Sequence, residues 1–298
     1  MSAQPNIQAP PDPGRLPTTL PLLREKKRLG DPIVMITAYD YPSARAAEAA
    51  GVDLVLVGDS AATTVLGHNA TTPVELEEML VLARAVRRGL RAPLLIGDLP
   101  FGSYEVSDEQ AISTAMRMVK EAGCEVVKLE GGGEASVRRV RAIVGAGIPV
   151  MGHVGLTPQT STALGGWKAQ GRTAQAAMRI AEEALALQRA GCFALVFEAI
   201  PSAVTEELMP SIEVPVIGIG AGPATAAKAG LAGWFLAGLL PTLFMWPMHL
   251  MPQNLTVITL VVGLIEWPVA TVIGAKLYTE GAGAGAGMGA GAGMGGRM

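Results

Sequence analysis

The sequence predicts an α/β protein built as a (β/α)8 TIM-type barrel, and three observations carry that prediction. Short, almost wholly apolar runs recur between residues 31 and 220, each closed by glycine or a polar residue. Amphipathic helix patterns with cap signals at both ends lie between them. Five of the apolar runs deliver an ionisable side chain at their C-terminal end. Strand–helix alternation gives a parallel sheet with right-handed crossovers, and seven strands at this spacing suggest a barrel. A doubly wound open sheet is the runner-up, but no G-x-G-x-x-G follows the first strand.

In order, the expected strands are "PIVMITA" (32–38), "DLVLVG" (53–58), "APLLIG" (92–97) and "EVVKLE" (125–130), then "IPVMGH" (148–153), "FALVFE" (193–198) and "VPVIGIG" (214–220). They are β-branched and apolar at nearly every position, as strands buried on both faces should be. Among the helices, "TPVELEEMLVLARAVRRG" places Pro73 in a first turn and Gly89 after a last one. "SDEQAISTAMRMVKEAG" offers Ser107 as N-cap, Gln110 at the capping-box position and Gly123 as the stop. "TAQAAMRIAEEALALQRAG" runs from Thr173 to Gly191 in the same way.

The ends of the chain read differently. The opening 1–17 is polar and proline-rich, the mark of a disordered leader rather than a signal peptide, so the protein is expected in the cytoplasm. From Ala229 to Met251 there is no Asp, Glu, Lys or Arg, and Leu255–Ala275 carries only Glu266. Each run is long enough to cross a bilayer, which takes about 20 apolar residues. The expectation for 226–279 is therefore a hydrophobic helical hairpin, either in contact with a membrane through 229–275 or a non-native join to an unrelated sequence, and for 280–298 a flexible Gly/Ala/Met tail. The barrel, assigned to 18–225, would then lack its usual last strand.

Composition narrows the function. Of 298 residues half are hydrophobic and 16% charged, and the net charge of −3 gives no support for a nucleic-acid surface. Cys124 and Cys192, each in a "GC" at a helix-to-strand junction, read as small buried thiols.

The chemistry sits at the strand ends. Asp59 follows "LVLVG", Asp98 follows "LLIG", Glu130 ends "VVKLE", His153 ends "PVMGH" and Glu198 ends "ALVFE". An Asp after a strand is ordinarily a turn former or cap. Five such residues at one end of one barrel instead converge on a mouth, where catalytic groups collect. Three carboxylates there repel one another unless a cation sits among them, and an all-oxygen donor set suits Mg²⁺ better than zinc. Lys128 shares the face of Glu130 by strand alternation and is placed to hold an anionic substrate group. Its structural role would be to balance Glu130, and both roles are compatible. With Asp59, Asp98 and Glu130 on the metal, Glu198 is left as a base, in surroundings apolar enough to tune it. Together these residues read as proton abstraction next to a metal-polarised carbonyl.

The segments "MITAYDYPSARAAEAAGVDLVLVGDSAATTVLGHNATTPV", "LLIGDLPFGSY", "VKLEGG", "VMGHVGLTPQ", "GGWKAQGR" and "PVIGIGAG" resemble, in order, the ketopantoate hydroxymethyltransferase family over roughly 18–223. The resemblance implies a barrel related to the phosphoenolpyruvate mutase and isocitrate lyase folds. It implies Mg²⁺-dependent, aldol-type transfer of a one-carbon unit from 5,10-methylenetetrahydrofolate to 3-methyl-2-oxobutanoate, giving 2-dehydropantoate for pantothenate biosynthesis. By the same resemblance Asp59, Asp98 and Glu130 are metal ligands, and Ser60, Asp59, Asp98 and Lys128 bind the keto acid. Glu198 is the proton acceptor, His153 a pocket residue without an assigned role, and 165–172 a loop over the site. Family members form ring-like homo-oligomers. Past about Thr225 the likeness stops. Two other functions stand beside this one: a membrane-anchored fusion whose truncated barrel is inactive, and a carbon–carbon lyase of the isocitrate lyase type.

Overall fold

The structure, a computed structural model, describes residues 15–219. Seven strands, all parallel, form one sheet in sequence order: β1 Met35–Thr37, β2 Leu54–Val57, β3 Leu94–Asp98, β4 Val126–Glu130, β5 Val150–Gly155, β6 Ala194–Glu198 and β7 Val216–Ile219. The helices are α1 Leu20–Leu29, α2 Tyr41–Ala50, the single turn α3 Ala61–Thr64, α4 Leu76–Gly89, α5 Asp108–Ala122, α6 Glu134–Gly145, the single turn α7 Ser161–Leu164, α8 Ala174–Ala190 and α9 Ser202–Leu208. The expected leader up to residue 17, the absent last strand, the hairpin at 226–279 and the tail at 280–298 fall wholly or largely outside the described residues. Among the described residues no helix is long and apolar enough to cross a membrane.

Side chains alternate across each strand, and the two faces build two cores. One face meets the helices: Val55, Val57, Leu95, Val127, Leu129, Val150, Val154, Leu195 and Phe197 join Met79, Leu80, Val86, Met118, Ile143, Ile180 and Leu187. The other face fills the barrel interior with Leu54, Leu56, Leu94, Ile96, Val126, Met151, Ala194, Val196 and Ile217. Leu23 of α1, fully buried, joins this interior cluster and closes its lower end. Lys26 of the same helix pairs with Asp53 at 2.7 Å, and the Thr18 N–H donates to the Ala92 carbonyl. Arg15 donates to the Val52 carbonyl at 2.5 Å, so the end of the expected leader is tied down rather than loose.

Local chemistry explains where prediction and structure agree. Ser107 and Thr173 cap α5 and α8 through their side chains, and Gly123 and Gly191 end those helices in the left-handed conformation. Gln110 reaches back to the Val106 N–H, one residue beyond the expected capping-box partner. α4 departs from expectation at both ends. It starts after Glu75, where Glu75 and Glu78 cap each other reciprocally, so Pro73 lies ahead of the first turn. It keeps Gly89 as its last helical residue, because α2 packs there: a Cβ on Gly89 would sit 2.6 Å from that of Ala44 and 3.0 Å from the Tyr41 carbonyl. β1 is shorter than predicted and β5 longer, running past His153 to Gly155. Both cysteines pack on glycines of the helix-facing side. A Cβ on Gly97 would meet Cys124 Sγ at 2.8 Å, and one on Gly152 would meet Cys192 Sγ at 3.1 Å. Burial pushes both thiols up to about 12.

Candidate active site

The interior rows of side chains turn from apolar to ionisable toward the C-terminal ends of the strands. Register fixes how they meet. Asp98 lies beside Lys128, Glu130 beside His153, and Glu198 beside Gly155. Glu130 thus stands two residues beyond the level of Asp98, His153 is level with Glu130, and Glu198 stands two residues beyond His153, a stagger consistent with a barrel. Asp59 comes two residues after β2 and enters the cluster from the loop.

Lys128 is the centre of charge. Its ammonium donates to both oxygens of Asp98 at 2.8 and 2.9 Å and lies 3.8 Å from Glu130 Oε1, all three side chains being buried. The Asp59 N–H donates to Asp98 Oδ2 at 3.2 Å. Burial pushes the Asp98 carboxyl up to about 7 against the pull of Lys128, with Asp59 and Glu130 adding to the rise. Burial likewise raises Asp59, opposed by Lys128. Lys128 is held firmly protonated: burial works against its charge, but Asp98, Glu130 and Asp59 outweigh it. For Glu130 burial is also the opposing effect, and His153, Lys128 and the Gln159 amide keep it below the ordinary carboxylate range.

His153 stands between the two remaining acids. Its Nδ1 is 3.5 Å from Glu130 Oε1 and its Nε2 is 3.2 Å from Glu198 Oε2. Neither contact has hydrogen-bond geometry, so both buried ring nitrogens lie at ion-pair range without a hydrogen-bonded partner. Burial and Lys128 push against protonation, but the two glutamates prevail and raise the imidazole. Glu198 is not sealed in as its apolar strand suggests: its side chain is 20% exposed. Ala199 follows it at φ 49°, the one non-glycine residue with positive φ among the described residues. Its N–H donates to the Ile219 carbonyl and its own carbonyl accepts from the Gln170 N–H, so the turn is pinned on both sides. Through Gln170 the segment 165–172 is fastened to the end of β6, while Trp167 remains exposed.

The structure therefore brings together Asp59, Asp98, Lys128, Glu130, His153 and Glu198. Ser60, half-buried beside Asp59, shares a 2.9 Å hydrogen bond with the Tyr39 hydroxyl. Three further residues belong to the cluster that sequence reasoning did not single out. Gln159 donates through Nε2 to Asp59 Oδ2 and through its main-chain N–H to Glu130 Oε2. Tyr104 donates its hydroxyl to Gln159, and Arg139 holds the Tyr104 carbonyl. Gln159 and Tyr104 sat in the quoted "GLTPQ" and "LPFGSY", whose order in the chain gives no hint that they touch.

Among the described residues no three His, Cys, Asp or Glu side chains converge closely enough to grip an ion directly. The donor set fits Mg²⁺ nonetheless: three buried carboxylates carry more negative charge than one lysine offsets. Mg²⁺ ordinarily takes one or two carboxylates and keeps several waters.

Fold and site together define a parallel β/α barrel with acid–base groups gathered at the C-terminal ends of its strands. A protein assigned to the phosphonomutases, from Burkholderia cenocepacia J2315, superposes with a TM-score of 0.56 at 18% identity, covering 74% of this chain and 98% of that one. Phosphonopyruvate hydrolase superposes with a TM-score of 0.50 at 14% identity, covering 81% and 94%. The chain belongs to the ketopantoate hydroxymethyltransferase family, whose model matches residues 17–231, a few residues past the barrel end expected at 225. It is 53% identical over 205 residues to 3-methyl-2-oxobutanoate hydroxymethyltransferase 1, mitochondrial, of Arabidopsis thaliana, covering 69% of this chain and 59% of that protein. To 3-methyl-2-oxobutanoate hydroxymethyltransferase of Heliobacterium modesticaldum it is 51% identical over 205 residues, covering 69% and 74%. The chain thus spans little more than half the length of the plant relatives it matches, 51–59%.

Proposed function

We propose that this chain is a 3-methyl-2-oxobutanoate hydroxymethyltransferase, moving a one-carbon unit from 5,10-methylenetetrahydrofolate to the keto acid to give 2-dehydropantoate. The observation that carries the reading is the placement of Glu198 beside a carboxylate cluster but off it. Only His153 stands between Glu198 and Glu130.

In this reading Asp59, Asp98 and Glu130 would hold Mg²⁺, in part through its waters. Bound there, the ion supplies positive charge that polarises the keto oxygen and acidifies the adjacent C3–H. Lys128 and Ser60 hold the substrate carboxylate, fixing which carbon faces β6. Glu198 Oε takes the C3 proton, and its partial exposure lets it pass that proton on. His153, wedged between two glutamates, holds Glu198 at the edge of the mouth and keeps its charge from that of Glu130. The carbon left electron-rich forms its new bond to the folate's one-carbon unit, carried at the formaldehyde level. Water supplies the hydroxyl oxygen, the C–N bonds to that carbon break, and tetrahydrofolate leaves having taken up the protons. A cytoplasmic homo-oligomer belongs to the same reading on family resemblance alone.

The test is exchange. Wild-type protein with Mg²⁺ is expected to exchange deuterium into C3 of 3-methyl-2-oxobutanoate without folate. Glu198→Gln is expected to lose that exchange while still binding the ion; unchanged exchange would overturn the base assignment. The lyase alternative relies on a cysteine in a loop at the mouth, and both cysteines here are buried against the helix-facing glycines. The alternative of an inactive, membrane-anchored barrel turns on 226–279, outside the described residues. Inactive protein found in the membrane fraction would favour it.

A further inference from the structure

We infer that Gln159 is the positioning residue of the carboxylate cluster, fixing Asp59 and Glu130 at once, and that Tyr104 and Arg139 set its orientation. The inference rests on the metal reading above. Gln159 sits in the short 3-10 turn Pro158–Thr160 after β5 and is buried. Its Nε2 donates to Asp59 Oδ2 at 2.9 Å and to the Leu99 carbonyl at 3.0 Å, so both amide hydrogens are committed. Its Oε1 accepts from the Tyr104 hydroxyl at 2.5 Å, and its main-chain N–H donates to Glu130 Oε2 at 3.0 Å. These partners leave the carboxamide one orientation. Turned over, it would aim its oxygen at two acceptors and its NH₂ at a donor.

Tyr104 is fixed in turn. Arg139 of α6, buried, donates through Nε to the Tyr104 carbonyl and through Nη2 to the Glu105 carbonyl, each at 2.9 Å, and pairs with Asp108. The Tyr104 hydroxyl, having given its proton to Gln159, accepts from the Glu130 N–H at 3.4 Å. One unbroken path therefore runs from the outer helix α6, through the loop after β3, to two carboxylates, Asp59 from the loop after β2 and Glu130 at the end of β4. Each carboxylate has one oxygen taken by Gln159 (Oδ2 of Asp59, Oε2 of Glu130), which fixes where its other oxygen lies: Glu130 Oε1 faces Lys128 at 3.8 Å and His153 at 3.5 Å, where a cation would have to compete with them. Partners that orient ligands in this way commonly contribute 10–100-fold in metal affinity.

The probe is Mn²⁺ alone, titrated into the full chain without substrate and followed by the loss of the free-ion EPR signal. Urea midpoints in metal-free buffer separate binding from folding. Gln159→Leu, similar in volume but without the amide, is expected to weaken Mn²⁺ binding on the order of 10–100-fold. Tyr104→Phe, which removes the hydroxyl that holds Gln159 Oε1 in place, is expected to weaken it several-fold with little change in the urea midpoint. In turnover assays both should raise the metal concentration for half-activation more than the KM for keto acid. Wild-type affinity in Gln159→Leu overturns the inference and leaves the metal reading standing. Wild-type protein that takes up no Mn²⁺ overturns both. Should Gln159→Leu not fold, Tyr104→Phe decides by the same titration, and unchanged affinity there overturns the inference.

Discussion

The two sides of the barrel mouth are built on different principles. On the β3–β4 side, Asp98, Lys128 and Glu130 are buried and linked through hydrogen bonds and short ion pairs, with Gln159 locking Glu130 to Asp59. On the β5–β6 side, His153 touches two glutamates at ion-pair range with neither contact a hydrogen bond, and Glu198 is partly open to solvent. A group that must hold charge in place gains from many fixed partners, because reorganisation during reaction is then avoided. A group that must take a proton and return it gains from few. The difference in bonding is the one that the proposed division between substrate and metal binding on one side and proton transfer on the other would call for.

Four measurements break or sharpen that contrast. Lys128→Met should have the largest effect. It leaves two buried carboxylates without their counter-charge, and removing one partner of a buried pair costs about 3–5 kcal/mol. Urea denaturation in metal-free buffer at pH 7 measures it, and a loss under about 1 kcal/mol would mean that the β3–β4 side is not held by its charges. Gly155→Ala comes next, on the other side. Gly155 has φ 98°, and a Cβ there would lie 2.2 Å from the Glu198 carbonyl oxygen. We expect a cost of about 1–3 kcal/mol and slower C3 exchange, with Mn²⁺ affinity preserved. Loss of Mn²⁺ affinity would show the two sides to be one unit.

Glu198→Gln should change stability by less than about 1 kcal/mol while cutting exchange roughly 10²–10⁴-fold. A destabilisation as large as that of Lys128→Met would erase the distinction. The smallest effect concerns the thiols behind the mouth. With burial pushing both Cys124 and Cys192 up to about 12, alkylation at pH 8 should proceed no faster than unfolding. Rapid labelling of the native chain would put a cysteine within reach of the mouth and revive the lyase alternative.

Much of this site is legible because strands impose a period of two. Once "EVVKLE" is read as a strand, Lys128 and Glu130 must share a face, and the neighbouring runs add His153 and Glu198 to the same interior. What strand period cannot convey is contact between loops. Gln159 meets Asp59 across 100 residues of sequence, and Arg139 meets Tyr104 across 35. No local pattern encodes either meeting, because each depends on how the turn after β5 and the loop after β3 fold over the strand ends. α1 is short, and Leu20, Leu22 and Leu23 lie in its first turn ahead of a run of charges, so only Leu23 is fully buried and the helical period is never repeated. The start of α4 was misplaced because proline in a first turn is a common pattern, whereas here the reciprocal Glu75–Glu78 pair sets the boundary.

Leu23 and α1 have one more consequence. With Leu23 packed into the interior cluster, α1 fills the axial route from below, so in the proposed reaction keto acid and folate would both approach the carboxylates from the strand-end mouth. Sharing that mouth would impose an order of arrival: the molecule that reaches the carboxylates would enter before a bulkier one parks above it, and leave after it has gone.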